Sequence, residues 1–138
     1  MTFDRALLAE KGAAVERHLA RVESRLPPDA STFRPSTDES DAVILHLWQA
    51  VQIVIDLALS ACVALDAGAP ATYAEAFQRL GDAGVVDGAL ASRLARAAGF
   101  RNVVAHAYER LDMARVHLAA REGPADLRAF LAALRDAR

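Results

Sequence analysis

The chain has 138 residues and 14.8 kDa, with 54% hydrophobic and 25% charged residues, so it can bury a core, and global disorder is excluded. Its 16 Lys and Arg against 18 Asp and Glu give a net charge of −2, which excludes a protein that coats nucleic acid or a membrane by bulk electrostatics. Any RNA or DNA contact has to be local, and the length sets an expectation of one domain over residues 1–138.

Strand signals are nearly absent, and the chain reads as all-α. Leu8, Val15, Leu19, Val22 and Leu26 recur on one face of a first helix, which Pro27 and Pro28 end. The prolines and hydroxyl residues of 27–37 form a connector, and Ser36 or Thr37 can cap the next helix. That second helix, about Asp38 to Asp66, is apolar from Ile44 to Leu65 except for His46, Gln49, Gln52, Asp56 and Ser60. Five polar residues including an Asp would be costly in lipid, so a membrane span is not expected. At about 100° per residue the five form one stripe on a central bundle helix. The stripe is either a solvated face or the lining of a cleft or subunit interface, with Asp56 placed to orient a basic partner.

Gly68 and Pro70 break this helix, and Thr72-Tyr73-Ala74-Glu75 matches a capping box opening a short third helix that ends near Gly84. Asp87 can cap a fourth, from about Gly88 to Tyr108, with Leu90, Leu94, Ala97, Val104 and Ala105 along it. Asp112 starts a further short helix, and Gly123-Pro124 is expected to interrupt it before a last one carrying Leu127, Phe130, Leu131 and Leu134. Short connections favour an up-and-down bundle of four to five helices.

The N-terminal stretch carries Asp4, Arg5, Glu10, Lys11, Glu16 and Arg17 and has no apolar core, so no secretory signal is read there. Cys62 is the single cysteine, which leaves no internal disulfide and no cysteine-based zinc site. A reducing, cytoplasmic location is expected.

Charge is unevenly spread. Ala42 to Ser92 holds five acids and one base, whereas Arg93 to Arg115 holds five arginines against Glu109 and Asp112. Within that basic stretch Arg101, Asn102, His106 and Tyr108 fall inside eight residues, a density of functional groups that packing does not require. On a helix Asn102 and His106 are an i, i+4 pair, so Asn102 can orient the imidazole, while Tyr108 lies on the stripe of Arg101. Arginine offers a planar fork suited to phosphate and histidine moves protons near neutral pH, a pairing that suits phosphodiester cleavage. Arg101 and His106 diverge by about 140° on one helix, so two copies meeting across a symmetry axis would converge better than one.

Arg101, four residues, His106, Ala107 and Tyr108 resemble the R-x4-H-x-Y signature of the HEPN superfamily, in particular its HepT-like toxins. Gln52, Ile53 and Asp56 on the second helix, the segment Thr72 to Phe77, Phe100, and Leu111-Asp112 extend the resemblance over about residues 5–135. It implies a HEPN-like bundle acting as a homodimer, with the second and fourth helices forming the cleft between subunits. It further implies a metal-independent endoribonuclease toxin, without cofactor, of a type VII-like HEPN/MNT toxin–antitoxin pair. His106 would be general base or acid, Arg101 would stabilise phosphoryl charge and Asn102 would position the site. Tyr108 matches the tyrosine that a cognate minimal nucleotidyltransferase antitoxin modifies with AMP groups. The alternative is a catalytically inactive bundle serving as nucleotide- or substrate-binding partner subunit of a nucleotidyltransferase. The complete set Arg101, His106 and Tyr108 favours the enzyme.

Other residues have plainer readings. His18, His46 and His117 have no convincing partners by spacing and read as surface or core-edge residues. Trp48 and Phe77 read as core rather than base-stacking platforms. Arg96 and Arg110, with Arg93 and Arg115, either guide an RNA backbone or form a solvated face. Asp56, if buried, needs a partner, for which Arg101 or His106 is available.

Overall fold

Side-chain caps open each of the five α-helices in the computed structural model, which describes residues 3–137. Asp4 caps α1 (Arg5–Arg25), and Thr37 caps α2 (Asp38–Ala64) in a reciprocal box with Ser40. Thr72 caps α3 (Tyr73–Asp82), Asp87 caps α4 (Gly88–Ala107) and Asp112 caps α5 (Met113–Asp136). Each cap satisfies amide groups that a helix start leaves open, worth about 1 kcal/mol. In the Thr72 motif the Glu75 carboxylate reaches past the cap and accepts from the Ala71 amide at 2.7 Å. Gly84, at φ +76°, lets the chain turn out of α3, with the Val85 amide returning to the Leu80 carbonyl at 2.9 Å.

The helices run up and down. Asp41 and Gln52 of α2 meet Tyr108 and Arg101 respectively, so α2 and α4 are antiparallel. Arg128 of α5 clasps Glu16 and Glu23 of α1, and His117 meets the Pro27 carbonyl just past α1. One contiguous core joins all five, with Val15, Leu19 and Val22 of α1 against Leu47, Val54 and Ile55 of α2 and Leu127, Phe130 and Leu134 of α5. Phe77 is fully core, its ring edge-on to Phe130 at 5.5 Å between centroids. Helix α2 is long and apolar enough to cross a membrane, yet half of that stretch is buried against its neighbours.

Several expected boundaries differ. Gly123-Pro124 does not interrupt: α5 is one 24-residue helix with Pro124 inside it and buried. Val116, Ala120, Pro124, Leu127, Phe130 and Leu134 make one uninterrupted buried face, and burying it outweighs the local cost of about 3 kcal/mol for an internal proline. Ala97 is only half-buried and Ala105 is exposed, while Ala98 occupies the core of α4. Helix α2 stops at Ala64 rather than Asp66, because Asp66 turns to φ 55°.

Candidate active site

The last two turns of α4 carry Arg101, Asn102 and His106, and the side of α4 bearing Arg101 faces α2. Arg101 Nε donates to Gln52 Oε1 at 2.6 Å and Nη1 donates to Asn102 Oδ1 at 3.2 Å. The guanidinium lies over two rings, 5.2 Å from the Trp48 centroid and 5.5 Å from that of Tyr73. Such cation–π contacts contribute about 0.5–2 kcal/mol and hold the fork in one plane. Gln52 is oriented in turn, its amide nitrogen donating to Asp56 Oδ1 at 2.9 Å. The second amino group of Arg101, Nη2, makes no protein hydrogen bond among the described residues, which leaves it available to an anion. Tyr73 and Asn102, which contact Arg101, also line a shallow cleft of about 340 Å³ with Leu59 and Thr72.

Asp56 is exposed and meets neither Arg101 nor His106 directly. One helical turn separates it from Gln52, so it acts on Arg101 only through that amide. The expected Asn102–His106 pair does not form, because the Asn102 oxygen is drawn to the nearby cation. His106 is exposed, and no hydrogen bond or ion pair holds its ring among the described residues.

Tyr108 leaves the expected helical stripe. Helix α4 ends at Ala107, at φ −142°, and Tyr108–Arg110 form a 3-10 turn. The Tyr108 hydroxyl donates to Asp41 Oδ1 at 2.6 Å, in the first turn of α2. Partial loss of water around the phenol and the adjacent carboxylate push it up to about 12.

Arg96 and Arg110 are exposed and carry no ion pair among the described residues, whereas Arg93 and Arg115 are tied to Asp126 and Asp112. Arg96 lies beside a groove of about 300 Å³ between α4 and α5, floored by Leu47, Phe100 and Leu127. The face of α2 that bears Gln52 and Asp56 also carries exposed Leu45 and Val63, and Val103 is exposed on α4.

Four residues here were not assigned roles from sequence. Asp41 is one of several acids in a first helical turn, and Tyr73 and Gln52 stood out as parts of a cap, of a stripe and of the family resemblance, without a role at the site. Trp48 is half-buried and walls the site, rather than being wholly core, and its indole N–H is buried without a partner among the described residues. Their functional signal is spatial: each touches Arg101 or Tyr108. His18 and His46 also find each other, with their Nδ1 atoms 3.0 Å apart between α1 and α2. His117 is buried, its Nε2 2.6 Å from the Pro27 carbonyl oxygen.

A family model described as ribonuclease HepT-like matches residues 15–134. The mRNA nuclease HepT of Shewanella oneidensis is 25% identical over 107 residues, which cover 78% of this chain and 80% of that protein. Among solved structures, the tri-AMPylated Shewanella oneidensis HEPN toxin in complex with MNT antitoxin superposes with a TM-score of 0.85 at 22% identity, covering 97% of this chain and 99% of that one. A cytosolic protein of unknown function from Bacillus subtilis, YutE, superposes with a TM-score of 0.82 at 18% identity, covering 99% and 92%. The two structural likenesses establish the fold.

Proposed function

The chain belongs to the ribonuclease HepT-like family, and from that premise we propose that it is a metal-independent endoribonuclease toxin acting as a homodimer and neutralised by a partner nucleotidyltransferase. The observation that carries this reading is the fixed guanidinium: Arg101 is held by Gln52 and Asn102 and by two rings, with Nη2 open, on the helix that presents an unrestrained His106. A preorganised donor of this kind favours a phosphoryl group whose charge grows in the transition state.

In this mechanism the ribose 2′-hydroxyl attacks the adjacent phosphorus, and His106 accepts its proton. The 5′-oxygen leaves and takes a proton from the second copy's His106, which leaves a 2′,3′-cyclic phosphate. Arg101 stabilises the phosphoryl oxygens, and Asn102 with Gln52 and Asp56 holds the guanidinium in place. A second copy packing on the α2–α4 face would cover Leu45, Val63 and Val103 and bring both His106 side chains toward one cleft. Arg96 and Arg110 would follow the RNA backbone on either side.

Tyr108 would be the site at which the antitoxin attaches AMP, since its hydroxyl lies two residues beyond His106 on an exposed turn. Phosphate groups there repel RNA by charge and block it by bulk.

RNA cleavage by unmodified protein in EDTA, beside the His106→Ala variant, tests this reading. Cleavage that persists in chelator, ends in 2′,3′-cyclic phosphate and vanishes in the variant is the expected result. Absence of cleavage by protein whose intact mass excludes adenylation would instead favour a nucleotide-binding subunit.

A further inference from the structure

We infer that Asp41 is the general base for modification of Tyr108, an inference that rests on the reading of Tyr108 as the adenylate acceptor. Asp41 Oδ1 accepts the phenolic hydrogen at 2.6 Å, the short distance of a charge-assisted O–H···O⁻ bond. Asp41 is exposed in the first turn of α2 and has no ion pair among the described residues, so its carboxylate is both available to take a proton and open to water for releasing it. With the Tyr108 phenol raised to about 12, almost no phenolate exists near neutral pH, and attack on phosphorus needs a base in contact with the oxygen. Among the described residues, Asp41 is the carboxylate to which that oxygen donates.

The step balances with a nucleoside triphosphate as the named co-reactant, here ATP. The Tyr108 oxygen forms a bond to the α-phosphorus, its proton passes to Asp41, and the bond from the α-phosphorus to the bridging oxygen of pyrophosphate breaks. Pyrophosphate leaves with the electron pair, and Asp41 returns the proton to solvent. The acceptor chain thus brings its own base, and the partner nucleotidyltransferase need only hold ATP in line.

The test is single-turnover adenylation of the full chain by its cognate nucleotidyltransferase with Mg-ATP, followed by intact mass and peptide mapping across a range of pH. Asp41→Asn keeps an oxygen to hold the phenol but cannot accept its proton. It is expected to slow the first adenylate about a hundredfold at saturating ATP, in line with the loss of a general base, and to remove the acid limb of the pH profile. Asp41→Glu is expected to recover part of the rate. Modification of Asp41→Asn at the wild-type rate, or with the wild-type pH profile, overturns the role of Asp41 and leaves Tyr108 as the acceptor. Wild-type protein that stays unmodified at Tyr108 overturns the acceptor reading itself, and this inference with it.

Discussion

Gln52 and Arg101 are 49 residues apart in the chain and 2.6 Å apart in the fold, the amide oxygen of one accepting from the guanidinium of the other. Since Asp56 takes the amide nitrogen, the Gln52 side chain cannot rotate without losing both bonds. Hydrogen bonds to a charged group are worth about 1.5–3 kcal/mol. Gln52→Leu should therefore lower kcat/KM for RNA cleavage by about 10- to 100-fold, with the protein still folded. Activity equal to wild type would show that Arg101 needs no such support.

Arg101→Lys tests the fork rather than the charge. Lysine keeps the cation but cannot hold Gln52 and Asn102 while presenting a further donor in the same plane. We expect cleavage to fall by about 10² or more, the usual loss for one transition-state donor. Retention of most activity would mean that a point charge suffices.

His18 and His46 set a pH dependence of stability. Burial first holds both below the ordinary 6.5, helped by the positive charge of His46, Arg17 and Arg21 at His18 and of Arg21 and Arg25 at His46. A histidine depressed in the fold binds more protons when unfolded, so its contribution is complete above pH 6.5 and is lost as pH falls below that value. The melting temperature should drop on mild acidification, and His46→Gln should flatten that drop. An unchanged slope in His46→Gln would assign the effect to other groups.

Two glycines should respond to alanine with opposite signs. A Cβ on Gly81 would lie 2.9 Å from the Ala91 Cβ, where α3 packs on α4, and neither atom can swing away. Gly81→Ala should cost about 1–3 kcal/mol by overpacking. Gly99 lies inside α4 with nothing within 4 Å of such a Cβ. Gly99→Ala should stabilise the helix by about 1 kcal/mol. Denaturant unfolding of the two variants checks both signs.

Much of the fold was legible because its signals are local. Thr37, Thr72, Asp87 and Asp112 begin helices by the chemistry of their own short side chains, and Leu8, Val15, Leu19 and Val22 mark a buried face by spacing alone. Pro124 misled because its local effect is real but small beside the burial of the whole α5 face, a quantity set by neighbours. Similarly Ala107 ends α4 one residue early, which swings Tyr108 off the Arg101 stripe and toward α2.

The all-α character, the starts of α2 to α5 and the cluster of Arg101, Asn102, His106 and Tyr108 can be read from the chain alone, since these rest on side-chain type and on local spacing. Which groups meet them depends on how the helices pack. Asp41, Trp48, Gln52 and Tyr73 come from α2 and α3, and no periodicity along α4 encodes what antiparallel packing brings across to it. Hydrogen bonds and cation–π contacts act over a few ångströms in space, so partners dozens of residues apart become visible only once burial of the core has fixed the helices against each other.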